Sequence, residues 1–148
     1  MSQDKNIKIA RLFSLEKKAR EAKTQDELNY IVVNETRQII DYINSFLVIK
    51  TPTDQFQTKA SSDLPTVDRT APLISFIEDL VNKNLKIDLN EIQNLNIDKI
   101  CQDKNLTKPK NLPGSVLLIP MISPQKGLLG YLLLARNESF QENEIELV

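Results

Sequence analysis

Histidine is absent from this 148-residue sequence, and cysteine occurs once, at Cys101. Without histidine there is no imidazole general base, no histidine-dependent triad, no histidine-ligated haem and none of the usual zinc sites. A single cysteine cannot close an internal disulfide, so nothing points to an oxidising compartment. Charge of one sign is equally scarce: 19 basic and 20 acidic residues leave a net charge of −1. That field is too weak to recruit nucleic acid or an anionic membrane. The longest apolar stretches, 116–122 and 128–135, fall far short of the roughly 20 residues a membrane-spanning helix needs. The first ten residues are polar and basic, without the apolar core of a signal peptide. The expectation is a soluble, cytoplasmic chain with no metal, no cofactor and no nucleic-acid partner.

What the chain has is apolar mass. Leu, Ile, Val and Phe fill 48 of 148 positions, well above the roughly 20% below which chains stay disordered. The length suits one domain, 1–148, without repeats. Residues 1–23 carry seven basic groups against three acids. A basic helix ahead of an acidic body offers a partner surface, or is simply a solvated helix face.

Residues 5–22 read as a first helix. Leu12, Leu15, Ala19 and Ala22 recur at helical spacing, with Ile9 and Phe13 to one side, an arc wider than one packing contact needs. Thr24 and Glu27 fit a capping box that starts a second helix over about 25–43. Its expected buried stripe is Leu28, Ile31, Val32, Ile39 and Ile43. Residues 46–49 are apolar throughout, as in a strand covered on both faces, whereas 54–60 alternate like an edge strand. Pro72 opens a third helix, 72–83, with Leu73, Phe76, Ile77, Leu80 and Val81 inward. The segment 84–112 is spaced for a short strand, a helix from Asn90 and another short strand. Two apolar strands, 115–122 and 128–136, follow with a hairpin connection at 123–127. Ser139 and Glu142 make a second capping box, whose helix, with Ile145 and Leu147, is expected to continue in a longer protein. Strands that are apolar on both faces need helices on both sides. The fold class is therefore α+β, a central antiparallel sheet of five to six strands sandwiched between helices.

The run Ser115-Val116-Leu117-Leu118-Ile119-Pro120-Met121, then Gly127, Gly130-Tyr131-Leu132-Leu133-Leu134, Phe140 and Glu144, resembles the closing part of a GAF domain. The order of elements is similar to that family over nearly the whole chain. Glu27-Leu28, Asn34-Glu35-Thr36-Arg37 and Val67-Asp68-Arg69-Thr70-Ala71-Pro72 look like bacterial GAF-like domains found within or beside adaptor proteins of secretion and efflux pumps. The resemblance implies a cytoplasmic sensory or regulatory module, not an enzyme, with a membrane transport protein as partner. It also implies a pocket between the sheet and residues 61–112, and a homodimer built by the terminal helices. Two branches of the family do not fit. Bilin-binding members resemble one another in a cysteine followed by histidine, but Gln102 follows Cys101. Asn82-Lys83 and Phe140 align with the cyclic-nucleotide pattern, which Glu144-Ile145 then breaks.

The candidate ligand residues are Glu35, Asp68, Arg69 and Phe76. Glu35 falls inside the apolar stripe of the second helix and is expected to be largely buried with a definite partner. It is either a polar anchor for a ligand or half of a structural pair. On this reading its removal costs about 1–3 kcal/mol. Thr36 beside it reads as a packing residue or one that bonds back to its own helix. Asp68 and Arg69 precede the third helix, where Arg69 and the helix dipole can receive an anion. The plainer alternative is a local ion pair with Thr70 as helix cap. Cys101 reads as packing rather than redox. Lys104, Lys108 and Lys110 read as a solvated loop.

Two functions remain. One is a sensory module with a small ligand in the pocket at 61–112. The other is an interaction or dimerisation module, with Ile9 and Phe13 as its interface and no small ligand. A core filled by its own side chains favours the second, and an open polar cavity favours the first. No constellation of side chains supports an enzyme.

Overall fold

The computed structural model describes residues 2–62, 66–84 and 91–145. Five strands form one antiparallel sheet: β1 (Asn44–Lys50), β2 (Phe56–Ser61), β3 (Gln93–Asn96), β4 (Ser115–Ser123) and β5 (Gly127–Arg136), in the order β2-β1-β5-β4-β3. The uninterrupted apolar strands take the centre and the alternating one an edge, as the patterning requires. Strand β5 is the middle of the sheet. Tyr131, Leu133 and Ala135 enter the core on one face, Leu132 and Leu134 the core on the other. Pro120 is tolerated inside β4 because β3 pairs only with 115–118, which leaves the outer side of β4 unpaired beyond that point.

Helices α3 (Pro72–Asp79) and α4 (Ile97–Lys104) contribute to the first core, which gathers Phe46, Val48, Phe56, Ile77, Leu80 and Leu112. Helix α2 (Gln25–Glu35) and the start of α5 (Glu142–Ile145) cover the other face, with Val33, Leu47, Leu117 and Phe140. Helix α1 (Ser2–Glu21) packs on α2 and on the turn that follows it. Leu12, Leu15 and Ala19, whose helical spacing suits packing on the sheet, are instead half-buried in an outer layer. Helix α2 already occupies the sheet face they would have needed.

Thr24 caps α2 as expected: its Oγ1 accepts the Glu27 N–H at 3.0 Å. The Glu27 carboxylate accepts the Lys23 N–H at 3.1 Å, one residue before the cap. The helix stops at Glu35, far short of 43, and passes into a 3-10 turn, Thr36–Gln38. Thr36 Oγ1 donates to the Val32 carbonyl at 2.6 Å, the back-bond expected of it. The residues turned into the core are Asn29, Val33, Thr36 and Ile40, about one residue out of phase with the expected stripe. Ile39 is buried, but Ile43, beyond the helix, is 50% exposed.

The segment after α3 differs from expectation. A single π turn, Leu80–Asn84, ends that helix. Strand β3 and helix α4 then replace the expected helix from Asn90; Ile87, Leu89 and Asn90 itself lie outside the described residues. Asn96 caps α4 by accepting the Lys99 N–H, and Asn105 closes it in the left-handed conformation, which asparagine tolerates. The capping box at Ser139 and Glu142 does not form. Glu144 instead accepts the Gln141 N–H at 3.0 Å and starts α5 two residues later. Leu147 lies outside the described residues.

Candidate functional site

Strand β2 is a sheet edge, so its outward N–H and C=O groups need partners from outside the sheet. Helix α3 and its terminal turn supply them. Asn82 binds both backbone groups of Phe56, and Glu78 accepts the Thr58 N–H at 2.7 Å. Arg69 then clamps Glu78 from the loop before α3, donating from Nε at 3.0 Å and from Nη2 at 2.9 Å. Burial alone would raise the Glu78 pKa. The Arg69 guanidinium and the Thr58 N–H outweigh it, so the carboxyl sits below its ordinary value. Arg69 is thus committed to a carboxylate of its own chain.

Asp68 faces elsewhere. Its Oδ1 accepts both the hydroxyl and the N–H of Thr70, which hold its pKa low. Neither alternative read from the sequence holds in full: the ion pair is Arg69–Glu78, and Ala71 rather than Thr70 stands at the helix cap, without a side-chain bond. Phe76 is half-buried against the core and borders a shallow cleft with Lys83 and Leu106. Glu35 needs correction too. Its side chain is 32% exposed rather than buried. It does have definite partners, Gln38 Nε2 at 2.5 Å and Lys18 Nζ at 3.4 Å, so it ties α2 to α1. The four candidate ligand residues therefore do not converge on one site.

Under α3 and α4, where a pocket was expected, the described side chains form a buried apolar core. Phe46, Val48, Ile77, Leu80, Tyr131 and Leu133 are all fully or almost fully buried there. The Phe56 and Tyr131 rings pack at 5.4 Å between centroids. Cys101 belongs to this core; burial, with Asp98 adding to it, pushes its thiol pKa up, the reverse of a reactive thiolate. Beside the β2 edge lies a cleft of about 320 Å3, bordered by Asp26, Asn29, Ser61 and Arg69.

Sequence reasoning missed two groups. The Asn82 and Glu78 contacts join residues 20 or more apart, without a local pattern to reveal them. Arg136 closes β5 with a nearly buried guanidinium that is bidentate to Glu144, donates to the carbonyls of Asp41, Glu138 and Ser139, and stacks on Phe140 at 4.1 Å. Its pKa is raised, chiefly by Glu144. A lone charge ending an apolar strand was the available signal. On α1, Phe13 is 64% and Ile7 48% exposed, and Ile9 is half-buried.

No family model and no curated protein matches the chain. Solved structures do. The GAF domain of an Acinetobacter phosphoenolpyruvate-protein phosphotransferase is similar at a TM-score of 0.67 and 14% identity, over 96% of this chain and 86% of that one. The GAF domain of the Coxiella burnetii phosphoenolpyruvate-protein phosphotransferase gives a TM-score of 0.64 and 17% identity, over 95% and 85%. A phycoerythrobilin-bound GAF domain from a cyanobacterial phytochrome gives 0.55 and 16%, over 95% and 87%. The chain has a GAF-like fold. No helix among the described residues is long and apolar enough to cross a membrane.

Proposed function

We propose that this GAF-like domain is a non-catalytic regulatory module that works by association, two copies meeting through α1. The observation that carries the proposal is the exposed apolar face of α1, with Phe13 64% exposed, together with a core of buried side chains under α3 and α4. A module with that core built from its own side chains transmits through its surface rather than through a ligand held there. The small-ligand reading at 61–112 keeps one support, the cleft of about 320 Å3 bordered by Ser61, Thr66, Val67 and Arg69, although Arg69 is already paired with Glu78.

The surface in question is α1. Ile9 and Phe13 stand four residues apart on one helix face, and Phe13 is largely uncovered. A two-fold contact buries such a stripe against its own copy without any new element. The likeness of residues 34–37 and 67–72 to domains beside secretion and efflux adaptors makes a membrane transport assembly the downstream partner in this proposal. Sedimentation velocity over a range of tens of micromolar tests it. A dimer is expected, and a monomer at every concentration overturns the reading.

A further inference from the structure

A third cleft, of about 730 Å3, opens at the end of the sheet, where the ends of the β1–β2 and β4–β5 hairpins meet the first turn of α2. Its construction is unusual. The sheet has two register breaks. Between β1 and β2 the pairing passes from Leu47↔Ala60 to Val48↔Thr58, which leaves Lys59 unopposed. Between β4 and β5 it passes from Met121↔Gly130 to Ile122↔Leu128, which leaves Leu129 unopposed. A bulge releases its extra residue from strict alternation and re-aims the side chain. Both released residues, Lys59 and Leu129, line this one cleft.

The rest of the lining has the same two characters. Ile49 and Pro52 join Leu129 as an apolar wall, and Leu129 stays 39% exposed; Leu128 borders the cleft while packing on the first core. Lys50 and Lys126 join Lys59 from separate segments as a cationic rim, opposed in the lining by one acid, Asp26. Lys50 is paired with the exposed Asp54 at 3.3 Å. Lys59 and Lys126 have no carboxylate partner among the described residues; Lys59 reaches only Gln57 Oε1, at 3.4 Å. Asn29, itself buried, also borders the cleft; Gln25 Nε2 donates to its Oδ1 at 2.8 Å, which leaves its amide NH2 as a donor.

From this we infer that the cleft binds a small amphiphilic anion, a carboxylate on an alkyl chain, with the chain on Ile49 and Leu129 and the head between Lys59 and Lys126. Apolar area supplies most of the affinity and the unpaired lysines supply the sign preference. The volume lies within the usual range for small-molecule sites, about 300–1,000 Å3. The site is complete in one copy of the chain, so it stands or falls independently of dimerisation through α1.

The test is a titration of the isotopically labelled full chain, followed by amide NMR, with decanoate, decanol and decyltrimethylammonium as probes. Decanoate should produce saturable shifts centred on Lys59, Gly127 and Leu129, and should bind about tenfold or more tightly than the cation. The double variant Lys59→Glu, Lys126→Glu should lose that preference while keeping the wild-type melting temperature. Leu129→Asn should weaken decanoate and decanol together, and Phe13→Asp should leave decanoate binding unchanged. Equal binding of decanol and decanoate overturns the inference. So do shifts scattered away from the two bulges, and so does sedimentation with phosphatidylglycerol vesicles without binding of monomeric decanoate.

Discussion

The side-chain amide of Asn82 binds both backbone polar groups of Phe56: the Phe56 N–H donates to Oδ1 at 2.8 Å, and Nδ2 donates to the Phe56 carbonyl at 3.0 Å. One amide thus imitates the strand missing from the outer edge of β2, and Glu78 continues the imitation at the Thr58 N–H. The edge is closed by side chains of the same chain rather than left to pair with another. Asn82→Ala leaves two backbone groups of Phe56 without partners. It should cost about 1–3 kcal/mol and should speed hydrogen exchange at Phe56 and Thr58 ahead of the central strands. Unchanged exchange at both amides would show that the clamp is incidental.

The Glu78 carboxyl is held below its ordinary pKa, so it binds fewer protons in the folded chain than in the unfolded chain. The stability it contributes is fully present above the unfolded carboxylate pKa and is lost as pH falls through the lower folded value. Urea midpoints should therefore fall in acid, and Glu78→Gln should flatten that fall while lowering stability at neutral pH. An acid limb as steep in Glu78→Gln as in the wild type would assign the loss to other carboxylates.

Gly130 lies opposite Ile49, where β5 crosses β1 with no room for a side chain. A Cβ there would stand 2.1 Å from the Val48 carbonyl oxygen and 2.9 Å from the Ile49 Cα, both backbone atoms that cannot step aside. Gly130→Ala must push the two central strands apart and should destabilise by about 3 kcal/mol or more. A thermal midpoint within a degree or two of wild type would mean that the β1–β5 spacing is wider.

Glu35 carries a different lesson. Its partners sit at a half-exposed surface, so Glu35→Ala should cost less than about 1 kcal/mol, below what a buried carboxylate implies. A chemical denaturation midpoint lowered by several kcal/mol equivalent would restore the buried reading. The expected stripe runs on to Ile43, whereas the helix ends at Glu35 and the chain turns. Removing Ile39 and Ile43 from the helical phase leaves Asn29, Val33 and Thr36 as the inward face, two of them polar and therefore silent in a hydrophobic pattern.

Elsewhere the physics was local and legible. Unbroken apolar runs at 46–49, 116–119 and 131–135 place β1, β4 and β5 in the middle of the sheet, because residues buried on both faces need no alternation. The Thr24 cap and Pro72 mark helix starts through chemistry confined to one turn. What was illegible is non-local: the Arg69–Glu78 and Asn82–Phe56 contacts, and the bulges that free Lys59 and Leu129, depend on how distant segments dock. Neither periodicity nor composition encodes them.

Sedimentation equilibrium of the wild type beside Phe13→Asp and Ile122→Asp, each checked for native circular dichroism, tests association through α1 most directly. Both residues are exposed and apolar, on α1 and on β4 respectively, so a non-specific effect of the added charge would appear in both variants. The wild type and Ile122→Asp should be dimers and Phe13→Asp a folded monomer. A monomeric wild type, or a Phe13→Asp variant that stays dimeric, would contradict the account.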